Sequence, residues 1–590
     1  MKHKIIPMIV CLMLCVALMP AAAYADNAKT TPAEPLGIWT DHAAAAFAGG
    51  SGTAEDPYQI ATPQQMAKLA ADINSGDESK KHSGEHFKLT ADLNLSAHRW
   101  IPIGSGDLSL KHYNFSGYFD GNGKTITGLY VDESQSGFCG GLFGIVYGYE
   151  IKHLTVKDAY VKKDAKNSYD YGKIGILVGA AWGSKGSEIN IKDCSVSGTV
   201  ESKGNYTGGL VGDSHRGIYE NCTADVKVTG SPSTGGFVGQ DDFGTYKNCA
   251  ARGDVSGAKT VGGFAGFLSD ESQVNRCAAF GKVTASGNTA GGFVGMITHL
   301  GTISNCAAFG DVVSTVEGVE PQAGGFTGYI QHSTISNSHA AGTITVASSR
   351  YKAGGFAGET HYDTGEFHSS SFDIEKNAGL QAIGGETPAD TDGVETVPTQ
   401  TVKTNICKDY YGKHILKAVA ERPATCTEDG HEAYWKCENC GLLFADENGT
   451  QQIEKPEVIK ATGHKLIPIS KKPATCTEDG HEACWKCKTC GLLFADENGT
   501  QQIEKPEAIP ATGHKFGDWK VIKEAQVGVE GSRERACVSC DYTETEVIPA
   551  LEVQDTAKTG DASNSALYGI LALLAAGGAA GAVIGRKRKA

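Results

Sequence analysis

A five-residue pattern, Gly-Gly-Leu/Phe-x-Gly, returns through the middle of this 590-residue chain and limits what it can fold into. It begins at Gly140, Gly208, Gly235, Gly262, Gly291, Gly324 and Gly354, with a related Gly175-Ile176-Leu177-Val178-Gly179. A second marker, Asn, Asp or Arg followed by Cys, keeps step with it at Cys194, Cys222, Cys249, Cys277 and Cys306, separated by 28, 27, 28 and 29 residues, and Ser338 takes the next place. A fixed period of about 20 to 50 residues signals stacked supersecondary units, each unable to bury a core alone. Glycine, β-branched and aromatic residues in short runs disfavour helices and suit strands and turns. The expected fold class is therefore mainly β, with residues 136–375 winding into a parallel β-solenoid of two or three short strands per coil.

Ahead of the repeats, residues 47–135 read as a small α+β module. Thr62, Pro63 and Gln65 form a capping-box start with proline at the first helical position, and Met66, Leu69, Ala70 and Ile73 share one face, predicting a helix from about Pro63 to Ser75. Phe87-Lys88-Leu89-Thr90 and Leu93-Asn94-Leu95 alternate as strands, and the Gly121-Asn122-Gly123 turn leads into another. From Phe47 to Gly358 the chain resembles the GLUG-motif proteins of bacterial surfaces, on segments such as Gly208-Gly209-Leu210-Val211-Gly212 and Gly291-Gly292-Phe293-Val294-Gly295, and on the opening Gly49-Gly50-Ser51-Gly52-Thr53 with Asp56-Pro57-Tyr58. The resemblance implies architecture rather than activity. Some immunoglobulin A peptidases carry the motif beside a metalloprotease domain, but here His431-Glu432 and His481-Glu482 meet Trp435 and Trp485 where HExxH needs its second histidine.

Two features inside the repeats invite functional readings. Aligned cysteines of adjacent coils lie about 4.8 Å apart, near enough for disulfides, yet their side chains run parallel, which favours a buried ladder over disulfides or metal. Arg252-Gly253-Asp254 spells an integrin-type tripeptide, but Gly253 aligns with Gly281, Gly310 and Gly342, and Asp254 with Asp311, so the repeat itself accounts for it.

Residues 376–405 read as a linker rich in Gly, Thr and Asp, and then the period changes to 50. Cys-rich repeats follow at 406–463 and 464–513, and a degenerate one at 514–552; the first two share Pro-Ala-Thr-Cys-Thr-Glu-Asp-Gly-His, Trp-Lys-CxxC and a closing Ala-Thr-Gly-His. Three thiols with one imidazole fill a tetrahedral zinc site, so two structural zinc ions are expected, one on Cys426, Cys437, Cys440 and His464, the other on Cys476, Cys487, Cys490 and His514. His431 and His481 compete as fourth ligands, and an exported setting leaves disulfides, including ones with Cys407 or Cys484, as the alternative. In the third unit Gln526 replaces the first cysteine and Val553 the closing histidine, so that unit is expected to lack the site and to act as a metal-free cap or to form a local Cys537–Cys540 disulfide. Such tandem repeats resemble spacers near the anchors of Gram-positive surface proteins.

Both ends point out of the cell. Lys2 and Lys4, the apolar run Ile5–Met19 and Ala23-Tyr24-Ala25 form a signal peptide over 1–25, followed by a lead at 26–46. Residues 553–565 are a second linker, and the uncharged 566–585 stretch closed by Arg586-Lys587-Arg588-Lys589 is long enough for a transmembrane helix within 566–590. Lys558-Thr559-Gly560-Asp561 resembles a sortase signal, implying cleavage between Thr559 and Gly560 and wall attachment, although Thr556 and Ala557 replace its Leu and Pro, leaving a plain membrane anchor open. A net charge of -15 argues against nucleic-acid partners.

The expectation is a non-enzymatic, adhesin-like display protein on a Gram-positive-type bacterium, meeting a glycan or protein ligand. The alternative is an extracellular carbohydrate-active β-helix enzyme, a lyase or glycosidase, for which Asp120, Asp241, Asp242, Asp270 and Glu271 are the candidate carboxylates.

Overall fold

The computed structural model describes residues 32–552 apart from 106–112, 134–138, 165–171, 316–321, 348–351, 362–363, 386–392 and 439. The expected signal peptide, Thr559, Gly560 and the C-terminal apolar stretch lie outside the described residues. Among those described, no helix is long and apolar enough to cross a membrane. The chain separates into two compact units, one formed by residues up to Pro423 together with His431–Ile459, the other by Ala424–Gly430 and the chain from Lys460.

The first unit contains the parallel β-solenoid. One coil shows the plan: Gly217–Glu220 lies in an 11-stranded sheet I, Thr223–Thr229 in a 16-stranded sheet II, Ser233–Gly235 in an 8-stranded sheet III and Val238–Asp242 in an 8-stranded sheet IV. Each strand pairs in parallel with its counterpart one coil on, as Tyr219 with Tyr246, Ala224 with Ala251, Gly235 with Gly262 and Val238 with Ala265.

The two sequence markers are the two devices that keep this register. The residue before each cysteine turns the corner from sheet I to sheet II in the left-handed region: Asp193, Asn221, Asn248, Arg276 and Asn305 all have φ between 52° and 55°. Asn and Asp tolerate that conformation best among residues with a Cβ. Their amides also link coils, Asn248 Nδ2 donating to Asn221 Oδ1 (3.1 Å) and Asn221 Nδ2 to Asp193 Oδ1 (3.0 Å). The cysteines themselves are buried and unpaired, each thiol donating to the carbonyl two residues back at 3.1–3.4 Å. Ser338 and Ser370 make the same bond, to Ser336 and His368.

The glycine triplets bring backbones together. A Cβ on the second glycine would lie 2.1–2.3 Å from the carbonyl oxygen of its counterpart in the next coil, as for Gly209, Gly236, Gly263, Gly292 and Gly325. A Cβ on the third would meet the previous coil's third-glycine carbonyl at 2.5–2.7 Å at Gly239, Gly266, Gly295, Gly328 and Gly358. The aromatic between them points into the core, where Phe237, Phe264, Phe293, Phe326 and Phe356 stack at 4.8–4.9 Å between ring centres. That distance is the strand spacing itself, about 4.7–4.9 Å, so perfect register and ring stacking are the same condition.

The N-terminal module is part of the solenoid. Tyr58–Ile60, His86–Leu89 and Tyr118–Asp120 are the first three strands of sheet I, and helix α1 (Pro63–Asn74), with the predicted capping box between Thr62 and Gln65, buries Met66, Leu69, Ala70 and Ile73 in the same core. The segment expected as a linker is also largely ordered. Val394–Val397 forms the last strand of sheet II, pairing with Ser370–Asp373, and helix α2 (Thr399–Asp409) buries Val402 and Ile406 against Ala278 and Ala307, flanked by Phe280 and Phe309. Its glycine and threonine content masked a short apolar pattern with an existing sheet to bury it.

The Arg-Gly-Asp tripeptide is built into this scaffold. Arg252 lies over Phe280, a Cβ on Gly253 would meet Val226 O at 2.1 Å, and Asp254 Oδ1 accepts the Lys282 backbone N–H at 2.8 Å. Gly292→Ala is expected to cost about 2 kcal/mol or more, because the obstructing atom is backbone. Cys277→Ser, by contrast, should change stability by no more than about 1 kcal/mol, since serine already makes the ladder bond at two other corners. Denaturant unfolding of both variants checks the contrast.

Candidate metal centres

Each Cys-rich repeat is a small antiparallel sheet with little to bury. In the first, Leu416–Val419, Tyr434–Cys437, Leu443–Phe444 and Gln452–Ile453 pair in that order, over a core of Cys407, Cys437, Leu442 and Phe444. The second repeats this arrangement with Leu466–Ile469, Cys484–Cys487, Leu493–Phe494 and Gln502–Ile503. The third has three strands, Lys520–Lys523, Gly531–Ala536 and Thr543–Ile548, the last two longer than any in the other repeats. Between the CxxC strand and the next, the chain reverses tightly: Cys437 N–H donates to Leu442 O (2.7 Å), Gly441 N–H to Cys437 O (2.9 Å), and Gly441 holds φ 72°. This turn sets both thiols on one side.

Three Cys3His clusters result, all with ligand atoms within 4.8 Å of one another: Cys407, His414, Cys437 and Cys440; Cys426, His464, Cys487 and Cys490; Cys476, His514, Cys537 and Cys540. Cys407–Cys437, Cys426–Cys487 and Cys476–Cys537 have Sγ···Sγ distances of 3.8, 3.7 and 3.7 Å. The CxxC second thiols of Cys440, Cys490 and Cys540 lie 3.6, 3.5 and 3.3 Å from Nδ1 of His414, His464 and His514. A tetrahedral ion with metal–sulfur bonds of about 2.3 Å and metal–nitrogen bonds of about 2.0 Å separates two sulfurs by about 3.8 Å and sulfur from nitrogen by about 3.5 Å. The clusters can therefore bind metal ions, and their donor set and spacing fit Zn(II). The turns favour a thiolate at the first CxxC position: the Cys490 backbone N–H beside Cys487 draws its thiol down to about 5, and the Ser539 N–H draws Cys537 down to about 6, whereas burial pushes the Cys476 thiol opposite Cys537 up to about 11.

All eight ligands expected from sequence belong to these clusters, but in a different partition. Cys437 and Cys440 do not join Cys426 and His464; nor do Cys487 and Cys490 join Cys476 and His514. The Thr-Cys loop pairs with the Ala-Thr-Gly-His segment, Thr462 N–H donating to Thr425 O (3.0 Å) and Gly463 N–H to Cys426 O (3.1 Å). That pairing carries Cys426 to the histidine that opens the following repeat. Each site therefore combines a loop cysteine from one repeat with the histidine and CxxC of the next. The third unit, expected to hold no such site, completes one by taking Cys476, and Cys537 and Cys540 are unpaired thiols rather than a disulfide. The first site has no earlier repeat to draw on, and Cys407 on α2 takes that role.

Sequence reasoning missed Cys407, His414, Cys537 and Cys540. A constant His-to-CxxC offset of 26 residues, and the 61-residue step from Cys426 to Cys487 and from Cys476 to Cys537, would have revealed the stagger. His431 and His481 turn their Nδ1 to the neighbouring carbonyls of Glu432 and Glu482, and Cys484 is buried outside the clusters.

The candidate carboxylates of the solenoid are engaged locally. Asp120 receives the Asn122 N–H (2.8 Å) and meets His153 (3.1 Å); Asp270 and Glu271 form a left-handed corner. Asp242 is half-buried and accepts from Ser269. Asp241 points inward, fully buried, its Oδ2 accepting Ser272 Oγ (2.6 Å) and the Gly244 N–H (2.9 Å), and burial pushes its carboxyl up to about 6.

No protein-family model matches the chain. A protein of Evansella cellulosilytica whose name describes it as a Gly-rich membrane protein is 29% identical over 146 residues, which is 23% of this chain and 15% of that protein. Halomucin of Haloquadratum walsbyi is 29% identical over 171 residues, 28% of this chain and 2% of halomucin. The chain thus spans only a small part of the curated relatives it matches. Among solved structures, a Bacteroides ovatus chain described as an immunoglobulin A1 protease aligns with TM-score 0.38 and 18% identity, over 63% of this chain and 92% of its own length.

The staggered register predicts three metal ions per chain by elemental analysis of the full protein. Cys407→Ser and Cys537→Ser should each remove one, whereas sites closed within single repeats would lose none. For Asp241, a folded value near 6 against 3.8 unfolded means that stability falls as pH rises from about 4 to 6 and stays lower above that. Asp241→Asn should therefore stabilise the fold at pH 7 by about 2–3 kcal/mol and flatten this dependence, as read by urea unfolding between pH 4 and 8.

Proposed function

We propose that the protein is a non-enzymatic, cell-surface display protein: a solenoid that presents a binding face, carried on zinc-held repeats and attached to the envelope through its C-terminal segment. The observation that carries this reading is the contrast between the inner and outer columns of sheet IV. The core beside it is a uniform phenylalanine stack, while the in-register, partly exposed positions Gln240, Phe267, Met296, Tyr329 and Glu359 change chemistry at every coil. A scaffold whose register is fixed from within leaves its outer face free to vary, which suits recognition. The signal-like leader, the KTGD segment and the basic tail supply the address, and the membrane and mucin names of the partial relatives are in keeping with it.

In this reading the metal sites are structural. All four tetrahedral positions are protein ligands, which leaves none for a substrate, and cores this small depend on metal for their folding energy. The Thr559–Gly560 bond is the proposed point of wall attachment.

Brief protease treatment of intact cells should remove the solenoid, with the protein resisting hot-detergent extraction until the wall is digested. Thr559→Ala should make it extractable. Protection from protease until the cells are lysed contradicts the proposal.

A further inference from the structure

The Gly49–Tyr58 opening of the solenoid does something the display reading alone does not use. Gly50 (φ 89°) and Gly52 (φ 83°) make a tight reversal in which Ser51 and Gly52 N–H both donate to Asp56 O, at 2.9 and 3.0 Å. A Cβ on Gly52 would strike the Tyr58 ring at 2.5 Å. The reversal thereby sets Tyr58 beside Phe47, their ring centres 4.9 Å apart, on the wall of a cavity of about 370 Å³. Lys68, Asp72, Lys80 and His82 supply its polar lining.

The charges there are arranged rather than scattered. Asp72, 9% exposed, receives Lys68 Nζ (2.8 Å) and meets His82 Nε2 (3.2 Å), both through Oδ2. Its Oδ1 makes no hydrogen bond among the described residues. His82 Nδ1 contacts Glu85, so the ring is held between two carboxylates, and Lys68 Nζ also sits 5.2 Å from the centre of the Phe47 ring. Lys80 is exposed, its nearest carboxylate, Asp77, at 3.9 Å. With His82 protonated, three cations, Lys68, Lys80 and His82, meet three carboxylates, Asp72, Asp77 and Glu85, around the cavity and its rim.

A cavity of this size holds one ring-sized ligand. Two aromatic rings on one wall suit the apolar face of a sugar, the free carboxylate oxygen of Asp72 accepts from a hydroxyl, and Lys80 at the rim attracts an anion. We propose that this cavity binds a hexuronic acid unit of an acidic polysaccharide, with Phe47 and Tyr58 against the ring, Asp72 Oδ1 on a hydroxyl and Lys80 on the carboxylate. This rests on the display reading and names the ligand class for it.

The test is saturation-transfer NMR and titration of the full chain with methyl β-D-glucuronide, against methyl β-D-glucoside. The glucuronide should bind saturably and about tenfold more tightly than the glucoside at low salt, with the gap narrowing as salt rises. Lys80→Ala, at an exposed position, should bring the two sugars within about twofold of each other with its unfolding midpoint unchanged, while Phe47→Ala, which also loses packing against Phe87, should weaken both by about fivefold or more in protein that still unfolds cooperatively. No saturable binding of the glucuronide, equal binding of the two sugars by the wild type, or an unaltered Phe47→Ala overturns the proposal. Loss of sugar binding with the protein still exposed on cells would remove this ligand and leave the display reading; protein reached only after lysis would remove the display reading whatever the sugar result.

Discussion

Backbone against backbone at the glycine triplets is the contact on which the solenoid depends. Where Gly236 faces Gly263 and Gly263 faces Gly292, there is room for a hydrogen atom and nothing larger. This close approach removes the freedom of one coil to slide over the next, since a slip by one residue would set a Cβ against a carbonyl oxygen. The buried phenylalanine column then rewards the same register, because rings one coil apart fall at stacking distance only when the strands are aligned. Corners held by left-handed Asn and Asp and by the thiol ladder complete a coil in which every repeated residue has a geometric task.

The Cys-rich repeats solve the opposite problem. Their strands are short, and Ile467, Val521, Ile522 and Val547 are exposed for want of a larger core. Hydrophobic burial cannot specify such units strongly, and four-ligand metal sites can. Sharing each site between the loop of one repeat and the knuckle of the next also explains the ends of the array. Cys407 stands in for a preceding loop, and the third unit has Gln526 where the first two have their loop cysteine.

Much of this was legible in the sequence, and the failures have a common cause. The solenoid, the α1 capping box and the unpaired cysteine ladder could be read because period, spacing and turn chemistry are local and repeated many times. The ligand set was legible for the same reason. Its partition was not, because pairing Cys426 with His464 and with Cys487 depends on which strands meet, and a repeat boundary drawn by similarity need not coincide with one drawn by contact. The α2 helix was hidden in a segment whose composition favoured a loop, its two buried residues becoming meaningful only beside Phe280 and Phe309. The Phe47–Tyr58 cavity was likewise invisible, because it forms only where a turn, a helix face and a single histidine fold together.

The solenoid has a uniform interior and a varied exterior, and the Cys-rich repeats carry three clusters that can bind metal ions. Successive coils of the solenoid stand one strand spacing apart in strict register. Spin labels at positions 192 and 368, which lie six coil steps apart along one column of sheet I, test this most directly. The account predicts a single narrow distance near 29 Å, before allowance for the label arms. A broad distribution, or a distance far from that value, would show that the coils do not stack as described.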